Sequence, residues 1–161
     1  MQTLLDLRGN NPSFIHISDG KLQDFNVLDM MIPEPASIYV IDRDYLDFER
    51  LFGLHEAVAF FVTRAKSNAD LRRICSAPND RVQGIICDQT VALSGFYSQK
   101  HYPHHQRLIR FTDPEKEKTL IFLTNQFDPQ TMTICELYKA RSQVELFVKL
   151  IKPHIRFTKF Y

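Results

Sequence analysis

At 161 residues, 44% of them hydrophobic and 24% charged, the chain has the size and composition of one globular domain with one sizeable core, which excludes a disordered tail. Its 20 Lys+Arg against 19 Asp+Glu leave a net charge of +1, so bulk charge selects no partner and any nucleic-acid contact has to come from local clusters of Lys and Arg. No apolar run approaches the roughly 20 residues that a bilayer crossing needs, and the first residues lack a basic, apolar and small-residue succession; the expectation is a cytoplasmic protein without a membrane partner.

Residues 1–7 and 13–18 are short extended runs joined by the turn-rich Arg8-Gly9-Asn10-Asn11-Pro12, which predicts a β-hairpin. Residues 25–32 fit a short helix closed by Pro33 and Pro35. The compact apolar, β-branched run at 37–41 predicts an inner strand, ended by Asp42. Residues 45–58 carry Leu46, Leu51, Leu54, Ala57 and Val58 close to helical spacing, and 59–63 return to strand character.

From residue 67 to about 127 the pattern changes to short candidate strands, at 84–87, 91–95, 107–111 and 119–123, separated by polar turns. This predicts a β-rich insertion. Residues 133–155 then give a long helical pattern with Pro153 near its end. Cys75, Cys87 and Cys135 form neither a CxxC pair nor an even set, and read as three separate reduced thiols.

The last helix is the most informative stretch. At about 100° per residue, Tyr138, Arg141, Glu145, Lys149 and Lys152 fall within roughly 80° of one another, and Leu137, Val144, Leu146, Phe147, Val148, Leu150 and Ile151 fill the rest of the circumference. A mostly packed helix with one narrow stripe of an acid, three bases and a tyrosine suggests a cleft wall facing an anionic ligand: the carboxylate suits a divalent cation, the bases suit phosphate oxygens. The plainer alternative is a solvated face with Glu145 and Lys149 as an ordinary i,i+4 pair.

The spacing Tyr138, two residues, Arg141, three residues, Glu145, six residues, Lys152 matches in full the Y-(2)-R-(3)-E-(6)-K signature of a large family of bacterial insertion-sequence transposases of the DDE class. The words Glu136-Leu137-Tyr138, Gln143-Val144-Glu145-Leu146-Phe147, Ile151-Lys152-Pro153-His154, Leu5-Asp6-Leu7-Arg8-Gly9-Asn10, Phe60-Phe61-Val62-Thr63-Arg64-Ala65-Lys66 and Phe122-Leu123-Thr124-Asn125 resemble that family too, as does the run from Ile41 to Leu51. The resemblance covers essentially the whole chain.

The resemblance implies an α/β, ribonuclease H-like mixed sheet with flanking helices and a β-rich insertion before the last long helix. In these terms residues 1–66 hold ribonuclease H-like strands and helices, 67–130 the insertion, and 131–161 the helix of the catalytic Glu. It also implies that Asp42 and Glu145 are catalytic and hold Mg²⁺ or Mn²⁺, that Tyr138, Arg141, Lys149 and Lys152 bind DNA, and that the partners are double-stranded transposon ends and a second transposase copy.

Three departures bear on this. Asp44 stands where the family has a small residue, which adds like charge beside Asp42. Ser142 stands where the family has Trp. The family's first catalytic Asp lies upstream of the segment matching residues 3–7, so the expectation is weak metal binding and little or no strand cleavage. Alternatives are a DNA-binding or inhibitory transposase remnant, and a ribonuclease H-like nuclease outside transposition. Arg64, Lys66, Arg72, Arg73, Arg107 and Arg110 are candidates to extend a basic track, and His101, His104 and His105 read as solvated or phosphate-contacting.

Overall fold

The computed structural model describes residues 2–6, 11–16, 32–43, 47–65, 69–79, 81–114 and 117–140. Strands β1 (Gln2–Asp6) and β2 (Asn11–His16) pair antiparallel as a two-stranded sheet, as the turn-rich connection predicts, with a register shift between Leu4 and Leu5. The candidate helix at 25–32 lies outside the described residues apart from Ile32.

Six further strands form one mixed sheet in the order β3-β4-β8-β7-β6-β5: β3 (Ile38–Ile41), β4 (Phe60–Arg64), β5 (Leu71–Ala77), β6 (Ile85–Leu93), β7 (Gln106–Asp113) and β8 (Lys118–Thr124). The pair β3–β4 is parallel and every other neighbouring pair is antiparallel. Parallel strands need a crossover, and α1 (Phe48–Glu56) provides it. That helix starts where Asp47, in extended conformation, accepts from the backbone N–H of Glu49 at 3.0 Å and of Arg50 at 3.3 Å.

Side-chain alternation along the strands divides the core between two faces. Ile41 and Phe61 point to the side where α1 lays Leu51 and Leu54, and Leu93 and Tyr102 complete that cluster. Val62, Ile85, Ile109, Phe111 and Phe122 point to the opposite side, against Ile134, Cys135 and Tyr138 of the helical residues 131–140, here called α3. A short helix, α2 (Phe96–His101), joins β6 to β7. The architecture is thus a mixed α/β sheet with helices on both faces, consistent with the ribonuclease H-like arrangement.

Two differences from the expected elements have physical causes. The two strands expected at 84–87 and 91–95 are one continuous β6, because the polar break at Asp88 is absorbed by a buried ion pair rather than by a turn. Strand β5 is not among the expected elements: it is an edge strand exposed on both faces beyond Leu71, so no alternation marks it. Between them Gly84 adopts a φ of +84°, where an added Cβ would lie 2.6 Å from the carbonyl oxygen of Thr112.

The candidate active-site face and its supports

Asp42 directly follows β3, two positions after Val40, so strand alternation puts it in step with the face that α3 covers. It is half-buried. Tyr138 is 7% exposed, and its ring packs on Phe122 with centroids 4.9 Å apart, so the ring belongs to the core beneath that face. The described structure therefore brings Asp42 and Tyr138 to the same side of one sheet. Arg141, Glu145, Lys149 and Lys152, with Asp44 and Ser142, lie outside the described residues.

The strongest polar construction on this face comes from a residue that the sequence suggests for another place. Arg107, a candidate for a surface basic track, is instead buried at 8% exposure and paired with the more deeply buried Asp88. Its Nε donates to Asp88 Oδ1 at 3.0 Å and its Nη2 to Oδ2 at 2.6 Å. Nη1 donates to the backbone oxygens of Phe127 and Pro129, and Nη2 also reaches Thr131 Oγ1 at 3.0 Å. The reason is the register: Arg107 and Asp88 both project to the α3 face from adjacent strands, and a buried charge must be paired. Among the other candidates Arg72, Arg73 and Arg110 are exposed, Arg64 is half-buried, and Lys66 lies outside the described residues.

A second buried carboxylate, Asp113 at the end of β7, accepts from Lys139 Nζ at 3.2 Å, and the same ammonium stands 5.2 Å from the centroid of Phe111. Lys139 neighbours the polar stripe without belonging to it. Cys135, one turn earlier on α3, has its thiol pushed up to about 12 by burial, so it is a packing group and not a nucleophile. Residue types alone do not mark these pairs, because Asp88 and Arg107 stand in strands that carry other polar residues, Gln89 and Thr90 in β6 and Gln106 and Arg110 in β7.

On the opposite face, His55 sits among Phe52, His104 and Tyr102, with the His104 ring stacked 4.7 Å away. His55 Nδ1 is 3.4 Å from Asn125 Nδ2, which can only donate, and 3.3 Å from the Tyr102 hydroxyl; Nδ1 is therefore the accepting nitrogen of a neutral ring. His104 is thus a stacking residue, while His101 pairs with Glu49 at 3.4 Å. Burial first and the charge of His104 second hold His55 below its ordinary value, against a smaller opposing pull from Glu56. The unfolded chain, with His at about 6.5, then binds the proton more readily than the folded one. Stability is complete above that pH and declines as pH falls below it toward the lowered folded value. A melting temperature followed from about pH 8 to 5 is expected to fall, and His55→Phe is expected to flatten the fall; an unchanged pH slope in that variant would assign the effect to another group.

Among the described residues no group of three or more His, Cys, Asp or Glu side chains converges as a metal site, and no helix is long and apolar enough to cross a membrane. Asp42, a hard oxygen donor at a strand end, is of the kind that Mg²⁺ and Mn²⁺ accept.

Among the described strands β3 is the edge of the six-stranded sheet and not the inner strand that its apolar run predicts, since its buried residues are covered by the helices and not by a second neighbouring strand. A mixed sheet flanked by helices, with an acid following the first strand of its parallel pair and a tyrosine-bearing helix packed on the sheet, is the framework expected of a DDE transposase domain. The whole chain, residues 1–161, matches the family model described as "Transposase DDE domain", and the chain belongs to this family. Over 99% of its length it is 31% identical to the "Putative transposase y4zB" of Sinorhizobium fredii (strain NBRC 101917 / NGR234), and it spans 46% of that relative's length.

Proposed function

We propose that the chain serves metal-dependent DNA strand cleavage and transfer in transposition, with Asp42 and Glu145 as metal-holding carboxylates and Tyr138, Arg141, Lys149 and Lys152 as contacts to transposon-end DNA. The observation that carries this reading is the family match over residues 1–161, supported by Asp42 following β3 in alternation with Val40, which packs on the α3 side. Seven positions separate Tyr138 from Glu145, two turns of a helix, which keeps both on one line of the polar stripe. When bound, Mg²⁺ or Mn²⁺ supplies activation of a water or 3′-hydroxyl and stabilisation of the leaving oxygen. The chain's own groups do the rest: the carboxylates hold charge at a fixed place, and the cations bind phosphates and release counterions. A second transposase copy, bridging two ends, is part of the same reading.

The test is Mn²⁺-dependent nicking of labelled double-stranded DNA, with binding measured on the same samples. The parent chain is expected to nick weakly at most, and Asp42→Asn and Glu145→Gln are each expected to remove what nicking it shows, with binding largely kept. Nicking indifferent to both substitutions defeats the assignment of the carboxylates. Binding without nicking by the parent chain leaves the DNA-gripping part of the reading and removes the catalytic part.

A further inference from the structure

The two buried ion pairs on the α3 face share one feature: each ties a strand to a different point on the same helix. At the first point, every one of the five N–H donors of Arg107 has an acceptor, divided among Asp88, the Phe127 and Pro129 oxygens and Thr131. Thr131 Oγ1 in turn donates to Asp88 Oδ2 at 2.6 Å. Strands β6 and β7, the connection from β8, and the first helical residue of α3 are closed into one hydrogen-bonded ring. At the second point, about two turns along, Asp113 holds Lys139.

The apolar contacts of Ile134, Cys135 and Tyr138 hold the helix down but are non-directional, so by themselves they tolerate rotation about its axis. Hydrogen bonds to charged groups are directional and stronger than neutral ones. One such point would still leave a swivel. Two points, one at the start of α3 and one about two turns on, fix both its position along the sheet and its rotation.

We propose that Asp88, Arg107, Thr131, Asp113 and Lys139 are positioning residues that set the rotation of α3, so that the cations following it in sequence, Arg141, Lys149 and Lys152, meet the phosphate backbone together. None of the five is a catalytic residue, and the inference rests on the DNA-gripping reading above.

The salt dependence of binding separates positioning from simple support. The slope of log affinity against log salt falls by about 0.9 for each duplex phosphate that the protein no longer neutralises. A partly unfolded sample loses binding capacity without changing the slope of its folded fraction. Binding of a fluorescein-labelled double-stranded oligonucleotide is followed by anisotropy from about 50 to 200 mM salt. Thr131→Val with Asp113→Asn removes both anchors and no cation, so any change of slope reports how the remaining cations meet DNA. The slope is expected to fall by about 1–2, and Thr131→Ser alone, which keeps the hydroxyl, is expected to hold the parent's slope. If the double variant does not fold, Thr131→Val set against Thr131→Ser makes the same comparison.

The control is Arg141→Ala with Lys152→Ala, expected to lower the slope by about 2. If the control changes the slope and the anchor variants do not, the positioning role is overturned and the DNA reading stands. If the control leaves the slope unchanged, or the parent chain does not bind, the helix does not grip DNA and both fall together.

Discussion

Arg107→Met is expected to cost about 3–5 kcal/mol of folding stability, read as a lowered urea midpoint with little change in the dependence on urea. Two costs combine. The carboxylate of Asp88, 3% exposed, loses its counter-charge and stays out of water, and such an orphaned buried charge is far more expensive than the pair itself is favourable. The backbone oxygens of Phe127 and Pro129 also lose their donor. Asp88→Leu combined with Arg107→Met is expected to recover part of the loss, since it removes the orphaned charge, but not all of it, since those oxygens stay without the guanidinium. A single-variant cost within about 1 kcal/mol, the range of an exposed pair, would mean that water reaches Asp88 in the folded protein.

The second large effect falls on Asn125. Its side chain works as a piece of backbone: Oδ1 accepts from the Phe61 N–H at 2.9 Å and Nδ2 donates to the Ala59 oxygen at 3.0 Å. Phe61 and Ala59 are 0% and 1% exposed, so neither group has water as an alternative partner. Asn125→Ala is expected to cost about 2–6 kcal/mol, from one buried donor and one buried acceptor left unmade at about 1–3 kcal/mol each. Asn125→Asp separates the two bonds: the protonated acid has an oxygen to accept from Phe61 and an O–H to donate to Ala59, whereas the ionised form keeps only the acceptor and buries a charge. Its stability deficit is expected to grow as pH rises through about 4, the ordinary carboxylate value. A deficit flat across that range would place the residue in contact with solvent.

Much of the fold was legible because simple periodicities carried it. Strands β3, β4 and β8 are built on apolar runs, and α1 shows the helical recurrence of Leu51 and Leu54 behind an Asp cap. The turn-rich stretch after β1 similarly announced a hairpin. Strand β5 was illegible for the opposite reason: with Leu71 alone half-buried, nothing on it alternates. Six residues of α2 are too few for a helical period to emerge.

At the site, the acid after β3 and the polar stripe could be found from residue types and spacing, since their chemistry is written in single positions. The supports could not. That Arg107 faces inward, toward Asp88, depends on which strand lies beside which and in what register, and strand neighbours are a property of topology. Lys139 illustrates the same limit, being one position from Tyr138 yet committed to a carboxylate on β7.

Strand β8 has a further consequence. It falls within residues 67–130, which the change of sequence pattern leads one to expect as an insertion, yet it pairs with β4 on one side and β7 on the other, through Val62–Thr124 and Arg107–Thr124 among other partners. The segment is therefore no detachable module. Exchanging it between relatives, or shortening it to the length of a simple crossover, would take away the neighbour of β4 as well, and the boundary evident in the sequence runs through the middle of a single hydrogen-bonded sheet.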